Sequence, residues 1–158
     1  MSSKAKKASS KRKRRTSSTP NFRVTLHVQP GKSNGWDGYT DTTSDTNLPY
    51  CYRFSGGNKG DGNVSMMHSP QGPDGLVQVA IGQDSGGGVA RYKIAGIGFN
   101  GPGKSQFSWK HGGQTHVAVI TDKNIANATV KYSVEVLDVN RNCVIPCDPM
   151  IKNVPTVF

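Results

Sequence analysis

The chain has 158 residues, of which 34% are apolar, enough for one modest hydrophobic core and too short for two comfortable ones. Twenty Lys and Arg face ten Asp and Glu, giving a formal charge of +10. No apolar run approaches the ~20 residues a membrane-spanning helix needs, and no apolar segment follows the basic start; neither a membrane helix nor a secretory signal is expected, and the expected location is the cytoplasm, or the virion or nucleus for a viral or eukaryotic source.

The first 21 residues read as a disordered polybasic arm. Lys4, Lys6, Lys7, Lys11, Arg12, Lys13, Arg14 and Arg15 fall within residues 1–19 with no acid and no large apolar residue after Met1. The remaining 139 residues hold twelve basic against ten acidic groups, so the charge is an appendage of the fold. Such a segment cannot bury enough apolar area to offset its ordering entropy. Clustered cations that displace counterions from a phosphate backbone bind it without regard to sequence and with a strong salt dependence. The expected partner is nucleic acid or another polyanion; a solubility tail, or a nuclear-localisation signal at Lys11 to Arg15, are the plainer readings.

Residues 22–158 read as a single β domain. Phe22 to Gln29 alternates, with Phe22, Val24, Leu26 and Val28 on one face and His27 on the other, where a lone histidine is usually solvated. Lys32 to Leu48 is a polar loop or weak hairpin carrying Trp36 and Tyr39. Further strands are expected at Tyr50–Phe54, Val64–Met67, Leu76–Ile81, Val89–Ile97, Phe107–Trp109, His116–Thr121 and Thr129–Leu137, and no eleven-residue window shows a helical apolar period. With 19 Gly and 9 Pro between short strands, the fold class is all-β, a small antiparallel sandwich or barrel.

Gly98 to Ser105, GFNGPGKS, fits the phosphate-loop pattern at every specified position, with Lys104 to reach phosphate and Ser105 to bind Mg²⁺. That chemistry requires a helix beginning at the end of the loop. QFSWKHGG follows instead, so a Gly-rich hairpin turn is the expectation and a nucleotide site the remote alternative. Cys143, Cys147, His111 and His116 have spacings unusual for zinc, and no metal or cofactor is expected. Three cysteines are read as free thiols. Trp36, Tyr39, Tyr50 and Tyr52 could stack on bases, or simply pack.

Tyr132 to Pro155 closes the domain. Val134, Val136 and Val139 sit among polar residues in a near-alternating pattern, Asn140-Arg141-Asn142 turns the chain, and Cys143 to Ile145 resumes the strand. Asp148-Pro149 follows. Asp before Pro favours a turn. It is also the most acid-labile linkage in a chain, because the carboxyl can reach its own carbonyl carbon through a five-membered ring and the proline nitrogen leaves readily.

The block from Arg91 to Pro155, in particular YKIAGIGF, QFSWK, VAVITDKN, KYSVEVLDV and CDPMIKN, resembles the small bacterial β-domain family known as DP-EP. The resemblance spans roughly Phe22 to Pro155 and is most specific at the Asp-Pro-x-Ile-x-Asn end. It implies a small closed β structure and, as for at least one member, aspartic-peptidase-like self-cleavage at Asp148-Pro149. Only Asp148 and Pro149 carry over; Glu135 is the sole glutamate, and no proline follows it. Under this reading Asp148 is partly desolvated with a raised pKa, and Glu135, Asp138 and His116 are proton partners by residue type. The alternative is non-enzymatic: a basic arm before a compact β domain is also the layout of small coat-like proteins that package nucleic acid, and it admits a homo-oligomer.

Overall fold

The computed structural model describes residues 22–67, 74–123, 128–148 and 150–154. Eleven strands lie among them: β1 (Phe22–Pro30), β2 (Thr40–Thr43), β3 (Pro49–Gly56), β4 (Val64–Met67), β5 (Gly75–Ile81), β6 (Tyr92–Asn100), β7 (Phe107–His111), β8 (Val117–Asp122), β9 (Ala128–Asp138), β10 (Cys143–Cys147) and β11 (Met150–Val154). They build two packed sheets, one in the order β2-β3-β1-β5-β8-β7, the other with β9 at its centre. The fold is all-β, as the strand spacing implies. It is not purely antiparallel, because β1 runs parallel to β5 and β11 parallel to β4.

Period-two patterning builds the core. Val24, Leu26 and Val28 of β1 lie beside Val77, Val79 and Ile81 of the neighbouring β5 on the inner face of one sheet, and all are at most 3% exposed. Val130, Tyr132, Val134 and Val136 of β9 come from the opposing sheet, with Ile145 and Cys147 of β10. Each fully buried aliphatic side chain contributes about 1.5–3 kcal/mol before conformational entropy is subtracted. In β6 the register slips between Ile94 and Gly96, leaving Ala95 as an extra residue opposite β9. That bulge shifts the alternation by one, so Ile94 and Ile97 both face inward.

Several boundaries differ from the sequence expectation. The polar stretch after β1 contains β2, and Val89–Arg91 is a 3-10 turn that precedes β6. The Gly-rich segment 101–106 joins β6 of one sheet to β7 of the other, so it crosses between sheets and is not a hairpin. Val139 is 41% exposed, while Asp138 takes the inward position of the alternation.

Candidate functional site

β10 and β11 lie end to end along one edge of β9. Cys147 pairs with Val134 and Met150 with Lys131, three steps on each strand, so both segments keep a single register. Chain direction is the same on the two sides of the junction, since both segments run antiparallel to β9. Pro149 itself lies outside the described residues. Counting on from Cys147 sets Asp148 level with Ser133, on the outer face of the sheet. Its N–H donates to the Tyr52 hydroxyl at 3.4 Å. Asp148 is exposed, so the partly desolvated setting that self-cleavage calls for is not found. It borders two surface cavities of about 290 and 260 Å³, one with Tyr52, Arg53 and Asn63, the other with Gly98, Lys131 and Ser133.

The three suggested proton partners are not gathered at this point. Glu135 pairs with Pro146, two residues along from Asp148 on the same outer face, but no hydrogen bond joins the two carboxylates among the described residues. Asp138 pairs with Cys143 at the far end of the ladder, five residues from Ser133 and therefore about 17 Å away. His116 precedes β8, three strand spacings or about 14 Å from the β3 strand that carries Tyr52.

Asp138 serves a different purpose. It is 0% exposed and accepts from Arg91 Nε at 2.9 Å, Arg91 Nη2 at 2.7 Å and the Tyr50 hydroxyl at 2.6 Å. The backbone N–H of Asn140 adds a bond at 3.0 Å, which closes the β9–β10 turn. Burial alone would push this carboxyl up; the Arg91 and Tyr50 hydrogen bonds outweigh it and hold the pKa at about 2. Burial, together with the Asp138 bond, pushes the Tyr50 phenol well up. All the partners are satisfied, and the cluster ties the 3-10 turn, β3 and the β9–β10 turn together.

The remaining sequence candidates divide by location. Lys4, Lys6, Lys7, Lys11, Arg12, Lys13, Arg14 and Arg15 lie outside the described residues. Lys104 sits in a three-residue 3-10 turn, Lys104–Gln106, and the chain enters β7 at Phe107 without the helix a phosphate loop needs. Cys51, Cys143 and Cys147 are buried free thiols, and burial pushes the Cys147 thiol far up. His111 Nε2 lies 2.9 Å from the Ile94 carbonyl oxygen, to which it donates. No group of three metal-ligating side chains occurs among the described residues. Tyr50 and Tyr52 are buried, whereas Trp36 is 50% exposed and meets Tyr39 edge-on at 5.6 Å. Arg53 in turn lies over the Tyr39 ring at 5.5 Å.

One constellation escapes the sequence reading. His27, expected to be solvated, has a side chain only 12% exposed. Its Nδ1 lies 2.6 Å from Asp84 Oδ1, and its Nε2 lies 3.0 Å from Ser55 Oγ. The two partners are 57 and 28 residues away in the chain, so no local motif marks them. The only sequence signal is an ionisable residue on the polar face of the cleanest strand. The His27 bond holds the Asp84 carboxyl below its ordinary range. A scan of family models returns no match for this chain, and a comparison with curated proteins returns none.

Proposed function

We propose that the chain is a nucleic-acid-associated β-sandwich protein that holds its polyanion through residues 1–19. The observation that carries this reading is charge segregation: eight of the twenty cations and none of the ten acids occupy that stretch. Counterion release from several phosphates then provides affinity without sequence preference. The exposed Trp36 beside Tyr39 and Arg53 supports the same reading, since bases stack on such surfaces in single strands. The test replaces the eight arm cations with Gln in the full-length chain and follows a fluorescent 20-nucleotide strand across a salt series. Wild type should lose affinity steeply as salt rises, and the variant should bind weakly with a nearly flat salt dependence. Equal salt slopes would refute the reading.

A second reading, self-cleavage at Asp148-Pro149, is favoured by one observation. The β11 segment is paired on both edges, with β9 and with β4, so a cut before it would leave the sandwich closed. Intact mass followed over days at pH 5 and pH 7, alongside Asp148→Asn, decides it. A species ending at Asp148 in wild type alone supports cleavage; an unchanged mass removes it.

A further inference from the structure

We propose that Ser55, His27 and Asp84 form a nucleophilic site on the outer face of the six-stranded sheet, able to take the acyl group of a small activated carboxylic ester onto the Ser55 hydroxyl. An ionised carboxylate can only accept hydrogen bonds, so the 2.6 Å contact requires His27 Nδ1 to carry a proton. In the neutral imidazole Nε2 is then bare, and the 3.0 Å contact is Ser55 donating to it. That is the tautomer a general base needs.

The three groups sit on fixed elements. Ser55 pairs with Thr25, and His27 with Arg53, in the β1–β3 ladder, which makes Ser55 and His27 diagonal neighbours on the face away from the core. The Asp84 loop is stitched to β1 on both sides of His27: Gly82 N–H donates to Leu26 O at 2.8 Å, Gly86 N–H to Val28 O at 2.9 Å, and Val28 N–H to Ser85 Oγ at 3.1 Å. Gln29 Nε2 donates to the Asp84 carbonyl at 2.9 Å. Gly82 leaves room beneath the pair, because a Cβ there would come within 2.8 Å of Asp84 Oδ1 and 2.9 Å of His27 Nδ1 and displace their contact. Such a supporting shell is what holds a reactive geometry in place.

Ser55 is followed by Gly56, whose φ of +86° and close approach to the Arg23 carbonyl exclude a side chain. Gly57 N–H donates to Arg23 O, so by the alternation of antiparallel ladders Gly56 turns its own N–H away from β1. The amide after a nucleophile is a donor that other folds aim at the developing oxyanion.

In the reaction, Ser55 Oγ attacks the ester carbonyl carbon while its proton passes to His27 Nε2. The tetrahedral oxyanion collapses, the bond to the leaving oxygen breaks, and that oxygen takes the proton from Nε2 and departs as an alcohol or phenol. Water, giving its proton to the same Nε2, attacks the acyl-Ser55 carbonyl carbon and releases the acid as Ser55 takes the proton back. Asp84 is a positioning residue, and its charge steadies the imidazolium. The other charged groups facing His27 are Arg53 opposite it on β3 and Arg23 farther along β1; the outward residues Gln78 and Ala80 of β5 are neutral.

The test is p-nitrophenyl acetate with full-length protein, read as p-nitrophenol release and as the position of the acetyl group by peptide mass. Wild type should acetylate Ser55. Ser55→Ala should abolish that adduct, and His27→Gln should slow it about a hundredfold or more. Asp84→Asn should slow acetylation, because the imidazole loses the carboxylate that fixes its tautomer, and Asp84→Glu should recover part of the rate. No adduct on Ser55, acetylation confined to lysines, or an unchanged Ser55 rate in His27→Gln or Asp84→Asn would each overturn the proposal.

Discussion

The Arg91–Asp138–Tyr50 cluster and the Asp84–His27–Ser55 row are assembled from the same three parts, a carboxylate, a nitrogen base and a hydroxyl, in opposite settings. Asp138 is fully buried and both its oxygens accept from several donors, whereas the Asp84 side chain is 59% exposed and spends one oxygen on the imidazole. Arginine stays protonated at any ordinary pH, so the first cluster has no proton to move. Histidine titrates near neutrality, and a serine hydroxyl bonded to its bare nitrogen can be made a nucleophile. Similar groups thus divide by burial and by the nitrogen side chain chosen, a permanent cation in one and a titratable base in the other: one cluster fixes the fold, and the other is left free to react.

Breaking the buried cluster should give the largest effect. Arg91→Ala leaves Asp138 as an uncompensated buried charge and should cost about 3–5 kcal/mol, read from urea unfolding. The same cluster sets a pH window. The folded pKa of Asp138, about 2, lies below the ~3.9 of an unfolded Asp. Its contribution of about 2.5 kcal/mol is therefore fully present above the unfolded pKa and is lost as pH falls through the folded one. Unfolding series from pH 6 to pH 2 should show the gap between wild type and Asp138→Asn narrowing at the acid end. The exposed row should respond least. Asp84→Asn should change stability by under about 1 kcal/mol, because solvent screens the pair, and a thermal melt checks it. A large destabilisation there would erase the contrast between the two clusters.

Much of the fold is legible in the chain, since Val24, Leu26 and Val28 announce β1 by alternation alone. The end of β9 is misread for a physical reason. Asp138 occupies an inward position that alternation assigns to an apolar residue, and its burial is made tolerable by the distant Arg91 and Tyr50. Val139 therefore falls one residue out of phase with the buried face. The Asp148 junction is visible as a dipeptide, but whether it turns or continues depends on the pairing of both flanks with β9. His27 is visible as a polar-face residue. Its partners are not, because they depend on the β1–β3 register and on where the loop after β5 crosses back over β1.

The contrast between a fixed cluster and a reactive one rests most directly on which ring nitrogen of His27 carries the proton. Long-range proton–nitrogen NMR on the folded full-length protein, at a pH where the imidazole is neutral, reads this. The geometry predicts a protonated Nδ1 and a bare Nε2, with Asp84→Asn weakening that preference. A proton on Nε2 in wild type would contradict it, because Ser55 would then accept a hydrogen bond and lose its base.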